Sequence, residues 1–151
     1  MGIGSPPKSG FARSAVELIV MDHEKSLLFW TDVLGFGIAY RRPAQKFAYL
    51  ERAEGAQVMI YERDGDWETG EFDLPLGRGL VIQVSVDDVD AVAKSVTAAD
   101  VPFYVALREK WRDWGDRLGG QREFLVQDPD GYLVMVSQRI GTRPLPDGPP
   151  A

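Results

Sequence analysis

Apolar and polar positions change period several times along the chain. Val16–Val20 is an apolar run broken only by Glu17, and it predicts a buried strand. Asp22 follows and can cap a helix through its carboxylate. Leu27, Trp30 and Leu34 then recur at helical spacing, with Phe29 and Val33 beside them. Gly35 ends that helix, because glycine tolerates the left-handed cap. Ile38–Arg42, Phe47–Glu51 and Gln57–Glu62 read as strands, the last two divided by a turn at Glu54–Gly55. The order then returns. Val81–Val86 is a strand interrupted by Gln83 and Ser85, and Asp88 caps a helix carrying Val89, Val92, Ala93 and Val96. Pro102–Leu107 predicts a strand, Arg108–Gly120 a long loop, and Arg122–Gln127 a strand. Asp128-Pro-Asp-Gly131 predicts a turn and Leu133–Gln138 the last strand.

The halves align directly. Val16-Glu17-Leu18 matches Ile82-Gln83-Val84 at an offset of 66, and Gly55-x-x-Val58-Met59 matches Gly131-x-x-Val134-Met135 at 76. The difference places an insertion in the second half, within 108–120. The predicted fold is α+β: two tandem βαβββ modules, 13–62 and 79–140, forming paired curved mixed sheets around a cavity. An acidic linker, 63–78, joins them within a single domain. Residues 1–12 and 141–151, rich in Gly, Pro and Ser, are expected to be flexible tails.

Strand alternation puts Val16, Leu18 and Val20 under the helix and turns Glu17 to the other face. The same rule sends Gln57, Met59, Tyr61, Gln83 and Met135 to that second face, which is apolar with a few polar groups. Such a composition suits a ligand cavity.

Charge and composition narrow the function. The net charge of −6 argues against nucleic acid as a partner. No apolar stretch approaches the ~20 residues of a membrane span, and the N-terminus has no apolar run of signal-peptide length. Cysteine is absent, so thiolate metal sites are excluded and a cytoplasmic location is the simplest expectation. Glu62–Asp73 holds six acids and one base around Trp67. Arg108–Arg122 holds five bases and three acids around Trp111 and Trp114, and could pair with the acidic segment of a second subunit. Tryptophans in such loops offer flat contact surfaces for planar or cationic ligands, and an acidic surround attracts cations.

Two phrases carry a resemblance. Phe29-Trp30-Thr31-Asp32-Val33-Leu34-Gly35-Phe36 and Arg122-Glu123-Phe124-Leu125-Val126-Gln127-Asp128-Pro129-Asp130-Gly131-Tyr132, with the duplicated order, resemble the glyoxalase/bleomycin-resistance/extradiol-dioxygenase (vicinal oxygen chelate) superfamily. In its metalloenzymes the ligands stand on the cavity face of four strands. The corresponding positions here are Ala15, Val81, Met135, and Met59 or Tyr61, which are poor ligands for a divalent cation. The sole histidine, His23, is expected at the surface. The resemblance therefore points to the metal-free, bleomycin-resistance-like branch: a homodimer, without cofactor or metal, sequestering a small organic ligand, with a cationic aromatic one in view. Glu17, Gln57, Met59, Tyr61, Trp67, Gln83, Trp111, Trp114, Glu123 and Met135 are the candidate binding residues. The alternative is a lyase, isomerase or dioxygenase-like enzyme with a non-standard or absent metal site. There Glu17 or Glu123 would be a general base of raised pKa and Tyr61 a proton donor.

Overall fold

A computed structural model describes residues 1–146. The chain forms β1 (Ile3–Gly4), β2 (Val16–Val20), α1 (His23–Leu28), β3 (Gly37–Arg42), β4 (Phe47–Glu51) and β5 (Gln57–Glu62). The second half forms β6 (Val81–Ser85), α2 (Val89–Ala98), β7 (Phe103–Asp113), β8 (Leu118–Gln127) and β9 (Leu133–Arg143). One sheet runs β1-β3-β4-β5-β2 and the other β6-β9-β8-β7. Without β1, the first order is that of the second, read from the opposite edge. The register repeats as well. Glu17 pairs with Met59 across the parallel β2–β5 ladder, and Gln83 with Met135 across β6–β9. Both sequence offsets are thus present in the hydrogen-bonded pairing.

The helix starts are local. The Asp22 side chain accepts from the Lys25 N–H, and the Asp88 side chain from the Ala91 N–H. After α1 the chain widens into a π-helical turn over Phe29–Val33, where the Leu34 N–H reaches the Phe29 carbonyl at 3.0 Å. Gly35 then closes the helix at φ +75°, as its sequence position demands.

Four expectations are corrected. Arg108–Gly120 is not a loop but the outer part of a β7–β8 hairpin, because Arg108, Lys110 and Arg112 alternate with Glu109, Trp111 and Asp113 and pair with Glu123, Gln121 and Gly119. The N-terminal segment is not a free tail: β1 pairs with β3, and Lys8 and Ser9 bond to Glu51. The last strand runs to Arg143, so 141–143 is sheet, while 147–151 lies outside the described residues. His23 is buried, since the start of α1 packs on β5 and its N–H donates to Glu62.

The helix-covered faces of both sheets share one core. It runs from Leu18, Trp30, Leu50 and Ile60 to Val84, Val96, Phe124 and Val136. The Asp128–Gly131 turn fastens the modules at this junction. Trp30 Nε1 donates to Asp128 at 3.4 Å, Ser26 Oγ to Asp130 at 3.3 Å, and the Tyr132 hydroxyl to the Ile19 carbonyl at 2.8 Å. Gly131 has φ +98°, and a Cβ there would lie 2.4 Å from Pro75. Only glycine lets the linker end dock so closely.

Burial pushes the Asp128 carboxyl up to about 6, outweighing the N–H groups of Tyr132 and Asp130 that favour its charged form. The folded state therefore binds more protons than the unfolded state between about pH 4 and pH 6. This group should lower stability, by on the order of 3 kcal/mol, as pH rises through that window and beyond it. Urea midpoints from pH 4.5 to 7 check this. Asp128→Asn should flatten that part of the curve, and an unchanged slope would contradict it.

Candidate functional site

The face of the second sheet turned away from α2 is concave. Its register sets side chains in rows, since residues opposite one another in a ladder share a face. Leu125, Met135 and Gln83 form one row. Arg108, Glu123, Ser137 and Ser85 form the next, and Lys110, Gln121 and Arg139 the one beyond. Gln83, Ser85, Arg112, Trp114, Gln121, Met135 and Arg139 line an open cavity of about 320 Å³. That is enough for a small organic molecule. Trp114 closes one side by lying over Gly119, where a Cβ would stand 1.9 Å from the indole. Arg139 stands over the same ring, 5.8 Å from its centroid.

Glu123 lies in the same rows, wholly buried, and two arginines hold it. Arg112 donates to Oε2 at 2.7 Å and to Oε1 at 2.8 Å, while Arg108 donates to Oε1 at 3.1 and 3.2 Å. Arg112 also donates to Gln121 at 2.8 Å. The hydrogen bonds from Arg112, joined by those from Arg108, outweigh burial and hold the Glu123 carboxyl below its ordinary range. The raised pKa expected for a cavity carboxylate is thus reversed. Glu123 is an anchor for two arginines rather than a base.

The equivalent face of the first sheet is covered at its Gln57–Tyr49 end by residues 9–12 of the chain itself. Gln57 Oε1 accepts from the Ala12 N–H at 2.9 Å and from the Tyr49 hydroxyl. Its Nε2 donates to the Gly10 carbonyl at 2.6 Å and Ser9 Oγ at 3.1 Å. Phe11 packs edge-on against Tyr49 and Tyr40, with ring centroids 5.5 and 6.4 Å apart. Every hydrogen-bonding position of the Gln57 amide is occupied by residues of this strap or by Tyr49.

The predicted residues therefore separate. Gln83, Met135 and Trp114 meet in the cavity, with Glu123 beside them. Glu17, Gln57, Met59 and Tyr61 share the first sheet's second face instead. The Tyr61 hydroxyl donates to Asp64, and that bond pushes its pKa up to about 12, which makes it a weak acid. Trp67 is an exposed residue of the acidic segment, and no part of that segment lines this cavity. Trp111 lies on the far side of the hairpin, over Gly120 and under Arg143, 3.6 Å from its ring centroid. Arg108, Arg112, Gln121 and Arg139 were absent from the sequence-based set. The signal for Arg108 and Arg112 is the alternation at 108, 110 and 112, which a loop reading hides, while Gln121 and Arg139 lie just beyond the predicted strands 122–127 and 133–138.

Among the described residues no group of three or more His, Cys, Asp or Glu is placed to hold a metal ion. The positions that the family resemblance assigns to metal ligands carry Ala15, Val81, Met59 or Tyr61, and Met135. Alkyl and thioether side chains do not fit a divalent cation that takes imidazole or carboxylate, and the Tyr61 hydroxyl is engaged with Asp64.

The duplicated sheets and this cavity define a tandem βαβββ protein with a ligand-sized concave face. The model of the Glyoxalase/Bleomycin resistance protein/Dioxygenase superfamily matches residues 13–136, and the chain belongs to that superfamily. It is 28% identical over 126 residues to a probable lactoylglutathione lyase of Vibrio parahaemolyticus, covering 80% of this chain and 86% of the relative. It is 30% identical over 164 residues to the lactoylglutathione lyase of Pseudomonas putida, covering 88% of each. Among solved structures, TioX from Micromonospora sp. ML1 has a TM-score of 0.63 at 24% identity, over 86% of this chain and all of TioX. A protein of unknown function from Agrobacterium tumefaciens has a TM-score of 0.65 at 24% identity, over 87% and 96% of the two chains. These two likenesses concern the fold. No helix among the described residues is long and apolar enough to cross a membrane.

Proposed function

We propose that the chain is a small-molecule binding protein of the bleomycin-resistance type, which holds an organic ligand in the second sheet's cavity without a metal. The observation that carries this reading is the composition of the cavity. Trp114 and Met135 offer apolar contact, Gln83 and Gln121 offer amides, and the one carboxylate beside them is locked by two arginines. Such a lining orients a ligand but supplies neither a free base nor a cation site. The proposal includes a homodimer and a cytoplasmic location, the latter supported by the lack of cysteine.

The relatives described as lactoylglutathione lyases favour the second reading, a lyase of the same fold. One experiment separates the two. The purified protein is loaded with excess Ni(II) or Zn(II), desalted, analysed for metal, and assayed with the hemithioacetal of methylglyoxal and glutathione. Substoichiometric metal and no turnover above buffer are expected. Stoichiometric metal with turnover would establish the lyase. Light scattering should give twice the 16.8 kDa of one chain.

A further inference from the structure

We propose that the second sheet's cavity is built for an organic anion, a carboxylate or phosphate on a planar apolar body. This rests on the binding reading above and deepens it. The open face of this sheet carries Arg108, Lys110, Arg112 and Arg139, and among the described residues of its strand rows only the Glu123 carboxylate opposes them. Glu123 neutralises one charge and fixes two guanidinium groups in place. Arg108 and Arg112 remain partly open to solvent, with side chains 44% and 34% exposed, so N–H groups not bound to Glu123 or Gln121 stay available. Arg139 has no carboxylate within ion-pair distance among the described residues. Glu54 and Asp87 share its neighbouring groove, but Glu54 is bound by Arg52 and by the Asp87 N–H.

Guanidinium groups match the planar fork of a carboxylate and the oxygens of a phosphate. Arg139 beside the Trp114 ring puts charge next to a flat apolar wall, so a ligand with both features is held at two points. Gly119 is the bed that lets the indole lie flat. A cation, the ligand expected from the acidic segment, would instead meet a surplus of positive charge here.

Isothermal titration with four naphthalenes of one shape tests this: 2-naphthoate, 2-naphthyl phosphate, 2-naphthamide and 2-naphthylmethylammonium. The two anions should bind, the amide roughly tenfold more weakly or worse, and the ammonium not at all. The ratio of the first two tells carboxylate from phosphate. Arg139→Gln, which breaks no ion pair, should weaken naphthoate about tenfold and the amide by much less, so that the preference for the anion falls. Equal binding of naphthoate and amide, or tighter binding of the ammonium, would overturn the anion assignment and leave the binding reading standing. Silence from all four, in a protein shown to be folded by circular dichroism, would overturn both.

Discussion

Glu123→Ala should cost about 3 kcal/mol of folding stability, far more than the loss of an exposed charge. The reason is asymmetric. Glu123 is wholly buried and accepts four hydrogen bonds from only two partners, so removing it leaves Arg108 and Arg112 facing each other without a counter-ion. Both arginines can reach water, which holds the cost to the low end for a buried pair. Glu123→Gln keeps an acceptor and should lose about half as much. Urea denaturation of both variants measures this. A loss below about 1 kcal/mol for the alanine variant would mean that the arginines relax freely into solvent and that the carboxylate does not organise the cavity.

Trp30→Ala should be more severe, about 4 kcal/mol. Trp30 has no exposed surface and packs edge-on against Phe29 and Phe36, with centroids 6.0 and 5.4 Å apart. Its loss leaves a cavity where the two modules join, and it strips Asp128 of a donor. Trp30→Phe retains most of the ring and should cost roughly 2 kcal/mol, isolating the hydrogen bond and the smaller void. The shape of the urea transition is informative too. A single transition of unchanged slope indicates that the modules still unfold together, whereas two transitions would show that Trp30 couples them.

The two site assignments fared differently because of strand pairing. Gln83 and Met135 were legible as cavity residues, since a strand with regular alternation shows its faces in the sequence. Trp111 and Trp114 were not distinguishable as loop residues. Once the hairpin is formed, the three-residue spacing puts them on opposite faces, and only Trp114 meets the cavity. The first-sheet candidates lie apart from this cavity, on the other sheet. Gln57 has the right face, but a segment some 45 residues away in sequence fills three of its four hydrogen-bonding positions and Tyr49 the fourth.

Local pattern alone determined the duplicated βαβββ order, the caps at Asp22 and Asp88, the turn at Asp128–Gly131 and the core stripe through Trp30. Each depends on neighbours within a few residues or on a period that the backbone imposes. Tertiary structure decided which concave face stays open, how Arg108 and Arg112 meet Glu123, and that the cavity carries positive charge in a chain of net charge −6. Net charge sums over the whole chain, whereas a ligand meets only the side chains that folding places on one face, and those come from strands far apart in sequence.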